Sequence, residues 1–242
     1  LIFSERERIN DFLKKIKEDS HIKNIVCICI GGSRLGVELL HEFQSASDAV
    51  NVYFCSSYDL LELKDTLKNC IQKETIVIAI SKSFETAEVV KNIHYVKNWY
   101  ENVSSLDFKN YFYGISANKP AMDNYGIKEI NQFKILDSLG GRFSIWSSMS
   151  LPAFINSSYE NYLSFLEGAQ LADQHTQSTQ WNMNIPVMMA LLGVFNSTSF
   201  QINNHGIFTY NHRLRSLTKY ISQLSMESNG KSINFKSEES LF

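Results

Sequence analysis

The feature that most constrains the fold is a continuous apolar run at residues 25–30, which ends in Gly31 and Gly32. A strand that is apolar at every position has no side for solvent, so this run predicts a strand buried on both faces of a parallel sheet. Shorter segments of the same kind follow at residues 51–54, 75–80, 111–115 and 133–136. The sequence therefore predicts a sheet of about five parallel strands.

Helical patterns alternate with these strands. At residues 84–100 the apolar side chains of Val89 and Ile93 recur at helical spacing, and residues 59–69 form a second helical segment. Strands that alternate with helices build a doubly wound α/β fold, with helices on both faces of a parallel sheet. We therefore expect residues 1–150 to form one domain with a five-stranded parallel sheet flanked by helices.

The pattern changes after Ser150. Residues 151–172 and 183–194 are apolar, long and poor in strand formers, so they predict helices. We expect two or three helices in a second, mainly helical domain at residues 151–242, in which residues 232–235 look like a strand. The boundary depends on this change of pattern, because no low-complexity linker separates the two parts.

Composition excludes several classes of function. With 242 residues, 44% of them hydrophobic, the chain can bury a sizeable core, and a net charge of −2 gives no field that would attract nucleic acid. No apolar run is long enough to cross a membrane and the first residues do not resemble a signal peptide, so we predict a cytoplasmic protein. The four cysteines and six histidines show neither zinc nor disulfide spacing, so we expect reduced thiols and no metal site.

Hydroxyl groups follow the third strand, where Ser81, Lys82 and Ser83 open a long helix. The backbone N–H groups at the start of a helix have no partner within it and attract anions, and Thr86 adds a further hydroxyl. This arrangement fits a phosphate monoester. An ordinary helix cap formed by Ser83 is the alternative, and both can hold because capping and anion binding use the same N–H groups.

The loop after the first strand contains Gly31, Gly32 and Ser33, whose small size lets a ligand approach the backbone closely. Its glycine spacing fits neither the dinucleotide-binding fingerprint nor the phosphate-binding loop of nucleotide hydrolases, so a nucleotide is disfavoured. A tight strand-to-helix turn without a ligand is the alternative.

Two charged side chains stand in settings suited to catalysis. Arg142 follows Gly141, and an arginine beside flexible backbone can reach a developing oxyanion. Glu227 lies one helical turn after Gln223 and just before residues 229–230, Asn-Gly, which are a strong signal for the end of a helix. A surface ion pair and a solvated acid at a helix end are the respective alternatives.

At these residues the chain resembles the phosphoglucose isomerase family, which has the sugar isomerase (SIS) fold. Residues 137–150, DSLGGRFSIWSSMS, look like the family signature, and residues 30–33, 81–88 and 226–231 occur in the order and spacing of the family. The resemblance implies an aldose–ketose isomerase of glycolysis and gluconeogenesis. Such an enzyme interconverts glucose 6-phosphate and fructose 6-phosphate through an enediolate, without a cofactor.

The resemblance also implies a role for each matching residue. Glu227 would be the base that moves a proton between C1 and C2, and Arg142 would stabilise the enediolate. The other residues would bind the substrate: Gly141 and Gln223 at the sugar, Gly32 and Ser33 at the entrance, and Ser81, Lys82, Ser83 and Thr86 at the phosphate.

Members of this family extend beyond both ends of the chain, so we expect the interior portion of a homodimeric enzyme, inactive by itself. A ring-opening histidine and a late lysine would then follow residue 242. Two rival functions remain open. A non-catalytic SIS module that binds sugar phosphates would have no use for Glu227. A hexosamine-phosphate isomerase of the amidotransfer type should lack the motifs at residues 137–150 and 226–231.

Overall fold

The computed structural model describes residues 2–44, 49–103, 106–202 and 204–231. Parallel strands and helices alternate through the first part of the chain, and helices follow. The strands are β1 (Asn24–Ile28), β2 (Asn51–Cys55), β3 (Thr75–Ile80), β4 (Phe112–Ser116) and β5 (Gln132–Lys134). The helices are α1 (Ile2–Glu18), α2 (Leu35–Gln44), α3 (Leu61–Lys68), α4 (Ala87–Glu101), α5 (Lys119–Asn124), α6 (Tyr159–Ser178), α7 (Ile185–Ser199) and α8 (Leu217–Asn229).

The five strands form one sheet in the order β2-β1-β3-β4-β5, and every neighbouring pair is parallel. This confirms the predicted fold class. The chain first moves from β1 to one side of the sheet, to β2, and then crosses to β3 on the other side of β1. In such a sheet, ligands bind at the carboxyl ends of the strands where the strand order reverses, which here is between β1 and β3.

Alternate residues of the central strands pack into two separate cores, one on each face of the sheet. Ile25 and Ile78 belong to the core that α1 and α2 cover, whereas Val26 and Val77 belong to the core that α3 and α4 cover. The side chains of a strand point alternately to its two faces, so strands that are apolar throughout can serve both cores. All four cysteines are buried free thiols in these cores, as expected.

Several predicted boundaries were wrong at one end. β1 ends at Ile28, two residues earlier than expected, and α4 begins at Ala87 because Phe84 adopts a left-handed backbone with φ of 58°. The predicted helix at residues 151–172 begins only at Tyr159, since Ser148–Phe154 is a 3₁₀ segment. The sequence reading did not identify α1 at all, although this helix covers part of one core.

The segment Ser148–Phe154 belongs to the sheet core, where Leu151 and Phe154 are fully buried. The helices that follow are much more exposed, and α7 has no buried residue. The domain boundary near residue 150 stays a prediction, and residues 232–235 lie outside the described residues. Within the described ranges, no helix combines the length and the apolar character needed to cross a bilayer.

Candidate active site

The loop between β3 and α4 is held by hydrogen bonds within itself. The Ser81 hydroxyl accepts a hydrogen bond from the backbone N–H of Phe84 at 3.1 Å and lies 3.1 Å from the Thr86 hydroxyl. The Ser83 hydroxyl accepts from the N–H of Glu85 at 3.2 Å, so the alternative interpretation of Ser83 as the helix cap was wrong. Thr86 is the N-cap residue, and its side chain makes no capping bond. The loop is therefore ordered by its own hydroxyls, and the start of α4 has no side-chain cap.

Phe84 anchors this loop to the protein interior. Its side chain is 1% exposed and meets the ring of Tyr125 at 5.7 Å in an edge-on contact. Its φ of 58° is unusual for a bulky residue, and such strain persists only where the surroundings enforce it. The burial of the ring fixes the loop in a conformation that a free chain would avoid.

A cavity of about 600 Å³ opens beside this loop at the carboxyl ends of β1, β3 and β4. It therefore lies at the position where the strand order reverses, as the fold predicts for a ligand site. The cavity is lined by Ile30, Ser33, Ile80, Ser81, Lys82, Ser83, Thr86, Ala117, Asn118, Pro120 and Asp137. It thus brings together five residues that the sequence assigned to the substrate: Ser33, Ser81, Lys82, Ser83 and Thr86.

The charged residues of this cavity form a loose ion pair. The Lys82 ammonium group lies 3.4 Å from the carboxylate of Asp137, whose side chain is 90% exposed. An exposed pair of this kind contributes about 0–1 kcal/mol, so an anionic ligand can replace it at little cost. Asn118, which the sequence reading missed, donates a hydrogen bond to the Ser83 carbonyl at 3.0 Å and lines the same cavity.

The glycines of the first loop bring it against the segment that contains Arg142. A Cβ atom on Gly32 would lie 2.4 Å from the carbonyl carbon of Gly141, a distance that side chains do not tolerate. The Ser144 hydroxyl donates a hydrogen bond to the Gly32 carbonyl at 3.3 Å. Gly32 and Gly141 are therefore in direct contact, and Ser33, the next residue, lines the cavity.

Arg142 and Glu227 form an ion pair across this junction. The guanidinium Nη1 lies 3.0 Å from the Glu227 carboxylate, and Nε donates to the Ser228 hydroxyl at 2.8 Å. The Arg142 side chain is 22% exposed and that of Glu227 is 47% exposed, so both side chains are accessible to solvent. As predicted, Glu227 lies in the last turn of a helix, because α8 ends at Asn229.

Gln223 lies one turn before Glu227 on the same helix and faces the first loop. A Cβ atom on Gly31, whose φ is 57°, would lie 3.6 Å from the Gln223 amide nitrogen. The amide oxygen of Gln223 is buried and has no hydrogen-bond partner among the described residues. An unpaired buried acceptor is costly, so this oxygen is ready for a donor such as a sugar hydroxyl.

All ten sequence-predicted residues therefore lie in two adjacent groups. The anion cavity contains five of them, and Gly32, Gly141, Arg142, Gln223 and Glu227 meet beside it. Tyr220 escaped the sequence reading, although its spacing of three residues before Gln223 was a usable signal. Within the part of the chain that the structure describes, no group of three histidine, cysteine or acidic residues is arranged to hold a metal ion.

The phosphoglucose isomerase family matches the chain over residues 3–241. A glucose-6-phosphate isomerase of Pseudomonas putida is 38% identical over 230 residues, which cover 93% of this chain and 42% of the relative. A second, from Pseudoalteromonas atlantica, is 35% identical over 240 residues, or 95% of this chain and 44% of the relative. The chain thus spans less than half the length of these relatives.

Solved structures agree with the family match. The crystal structure of a glucose-6-phosphate isomerase from Chlamydia trachomatis has a TM-score of 0.90 and 28% identity, and the match covers 99% of this chain and 46% of that one. A hypothetical protein of Thermus thermophilus, with a TM-score of 0.81 and 22% identity over 98% of this chain and 58% of its own, shows the fold alone. From its sequence and its fold, the chain belongs to the phosphoglucose isomerase family.

Proposed function

We propose that the protein is an aldose–ketose isomerase that interconverts glucose 6-phosphate and fructose 6-phosphate. The observation that supports this function most strongly is the Arg142–Glu227 pair, 3.0 Å apart, whose arginine follows Gly141, the residue that packs against Gly32 next to the cavity. A carboxylate and a guanidinium beside a phosphate site are the groups that an enediolate mechanism requires.

The phosphate of the substrate would bind in the cavity at the start of α4. Backbone N–H groups of the uncapped helix start would donate to it, together with the hydroxyls of Ser33 and Thr86. Lys82 would exchange its contact with Asp137 for one with the phosphate. This anchor would hold C1 and C2 of the sugar towards Gly32, Gly141 and the pair beyond them.

Glu227 would remove the proton from C2 of the open-chain aldose and return it to C1. The electron pair of the broken C2–H bond becomes the C1–C2 double bond of the enediolate, while negative charge collects on the carbonyl oxygen at C1. When the proton returns to C1, the C2 hydroxyl proton passes to the oxygen on C1, which leaves the C2 carbonyl of the ketose. Arg142 would stabilise that charge, and Gln223 would accept a hydrogen bond from a sugar hydroxyl. The reaction is an internal redox exchange within the sugar, so it needs no external oxidant or redox cofactor.

The rival function as a non-catalytic binding module is less well supported by the site. A module that only binds sugar phosphates requires the anion cavity and nothing more. It has no need for a carboxylate paired with an arginine, or for an unpaired amide oxygen one helical turn before that carboxylate. The presence of these groups favours catalysis.

Membership of the family also implies a pathway, a location and an oligomeric state for the whole protein. We infer that the whole protein acts in glycolysis and gluconeogenesis in the cytoplasm, as a homodimer. Residues 1–242 alone would lack activity, since the relatives are more than twice as long as this chain and catalytic groups act as a unit. The group that opens the sugar ring is not among the residues assigned here.

A coupled assay for glucose 6-phosphate formation from fructose 6-phosphate tests the proposal in the intact protein. We expect turnover by the wild type and a loss of about 100- to 10,000-fold in the Glu227→Gln variant, the range that a general base contributes. Glu101→Gln is the matched control, because Glu101 is an exposed helix residue that pairs only loosely with Lys97 at 3.8 Å. No turnover by the wild type would refute the proposal, and equal loss in both variants would refute the role of Glu227.

A further inference from the structure

Tyr220 links the helix that carries the proposed base to the segment that carries the arginine. It lies on α8 three residues before Gln223 and seven before Glu227, so all three side chains point to the same side of the helix. The Tyr220 hydroxyl donates a hydrogen bond to the backbone carbonyl of Arg142 at 2.9 Å. One helix face therefore holds Arg142 by its backbone at Tyr220 and by its side chain at Glu227.

The surroundings of Tyr220 are shaped for an aromatic ring. The side chain is 6% exposed, and a Cβ atom on Gly36 would lie 3.0 Å from its ring and 2.1 Å from a methyl carbon of Ile145. Only a glycine at position 36 lets α2, the ring of Tyr220 and Ile145 approach so closely. Ile145 belongs to the same 3₁₀ segment as Arg142, Gly141–Trp146, so Gly36 lets α2 pack against both the Tyr220 ring and the arginine segment.

Burial also keeps the Tyr220 hydroxyl in its protonated form. It raises the pKa of Tyr220 to about 12, well above any physiological pH. The group therefore remains a hydrogen-bond donor at physiological pH, where the contact with the Arg142 carbonyl does not titrate.

We propose that Tyr220 is a positioning residue, which sets the place of Arg142 relative to Glu227 by holding the arginine backbone to α8. Tyr220 itself makes no contact with the reacting atoms. The inference rests on the proposed isomerase function, because it assigns Tyr220 to the geometry of that proposed reaction. It adds a residue that neither the sequence motifs nor the family resemblance identified.

The test compares two tyrosine variants of the intact protein, Tyr220→Phe and Tyr100→Phe. Tyr100 is also buried and donates a hydrogen bond to a backbone carbonyl, that of Thr75 at 2.5 Å. Thr75 is the first residue of β3, so this bond lies at the opposite end of the strand from the anion loop. Both substitutions remove one buried phenol-to-carbonyl bond, and only one of these bonds is at the proposed site.

We expect Tyr220→Phe to lower kcat about tenfold and to leave KM within about twofold, since a displacement of 1 Å can cost about 100-fold in rate. Tyr100→Phe should leave both parameters within about twofold of the wild type, because it lies far from the site. Thermal unfolding should show similar destabilisation in the two variants. Equal kinetics in the two variants would overturn the positioning role, and so would the loss of cooperative unfolding in Tyr220→Phe alone.

Binding measurements separate this proposal from the proposed function. The probes are inorganic phosphate and 5-phospho-D-arabinonate, whose carboxylate takes the place of the enediolate oxygens. In Tyr220→Phe, the Kd for the arabinonate should rise about tenfold, while the Kd for phosphate should stay within about twofold. If the wild type does not isomerise sugars, the proposed function fails. The difference between the Kd changes for the two probes still decides whether Tyr220 positions Arg142. Equal changes for both probes would overturn the proposal.

Discussion

The two halves of the candidate site are held in different ways. The anion loop is ordered by contacts between residues two to five positions apart, such as the bond from the Phe84 N–H to Ser81, and Ser81 is 4% exposed. Arg142 and Glu227 are 85 residues apart in the chain and remain partly exposed. The difference teaches that a phosphate anchor can be built by one strand and one helix, whereas the proton-transfer pair requires distant segments to pack correctly.

This contrast predicts different consequences for disturbances in the two halves. A change in the anion loop should weaken binding of the phosphate and leave the rate at saturation nearly intact. A change at the junction of Gly32, Gly141 and α8 should lower the rate and leave phosphate binding nearly intact.

Apart from Glu227→Gln, Gly32→Ala should have the largest effect on activity. The added Cβ would lie 2.4 Å from the Gly141 carbonyl carbon and 2.7 Å from its oxygen, and backbone atoms cannot move aside as a flexible side chain can. We expect the first loop and the Arg142 segment to separate, with a loss of about 100-fold in kcat/KM. Steady-state kinetics of the intact protein measure this effect.

Gly168→Ala is the matched control for that variant. Gly168 lies inside α6, and a Cβ there would have no neighbour within 4 Å. Alanine should therefore leave activity unchanged and stabilise the protein by about 1 kcal/mol, since glycine is a poor residue for a helix interior. Full activity in Gly32→Ala would show that the contact between the two glycines is not needed.

Lys82→Met tests the half of the site that contains the anion loop. Loss of the Lys82 ammonium group should raise KM for fructose 6-phosphate by about 10- to 100-fold, because a hydrogen bond to a charged group contributes about 1.5–3 kcal/mol. The value of kcat should stay within about threefold, since Lys82 pairs with Asp137 and would bind the phosphate, not the reacting carbon atoms. Lys97→Met on the exposed side of α4 is the control, and it should change neither parameter. A fall in kcat with an unchanged KM would contradict the assignment of Lys82 to the phosphate.

The elements that the sequence predicted well are those whose pattern is local. The strand of residues 75–80 was predicted to the residue, because all six side chains are buried and the five after Thr75 are apolar and belong to one of the two cores. The start of α4 was missed because Phe84 adopts a left-handed conformation, which no propensity predicts for a phenylalanine. The segment before α6 was missed because its burial depends on packing against the distant sheet.

The same distinction applies to the site. Ser81, Lys82, Ser83 and Thr86 could be predicted as one anion loop, since they follow a strand and precede a helix. The contact of Gly32 with Gly141, and that of Tyr220 with Arg142, join residues that are far apart in the chain. No local pattern carries these contacts. The resemblance to a family supplied the roles of Arg142 and Glu227, whereas their ion pair became visible only in the fold.

The smallest predicted effect concerns alkaline pH. The pKa of Tyr220 is raised by burial from 10.0 to about 12, so the unfolded protein loses this proton at a lower pH than the folded one. The stability that wild type gains from Tyr220 is thus complete below pH 10 and declines as the pH rises towards 12. Chemical denaturation at several pH values should show the difference in unfolding free energy between wild type and Tyr220→Phe shrinking over this interval. A difference that is constant from pH 9 to pH 12 would contradict the buried, protonated phenol.

The exchange of the C2 hydrogen with solvent deuterium tests the separation of anchor and base most directly. The measurement is the rate at which deuterium enters C2 at saturating glucose 6-phosphate, compared between Lys82→Met and Glu227→Gln in the intact protein. We predict that Lys82→Met keeps the rate within about threefold of the wild type, and that Glu227→Gln lowers it by about 100-fold or more. Exchange at the wild-type rate in Glu227→Gln would contradict the account.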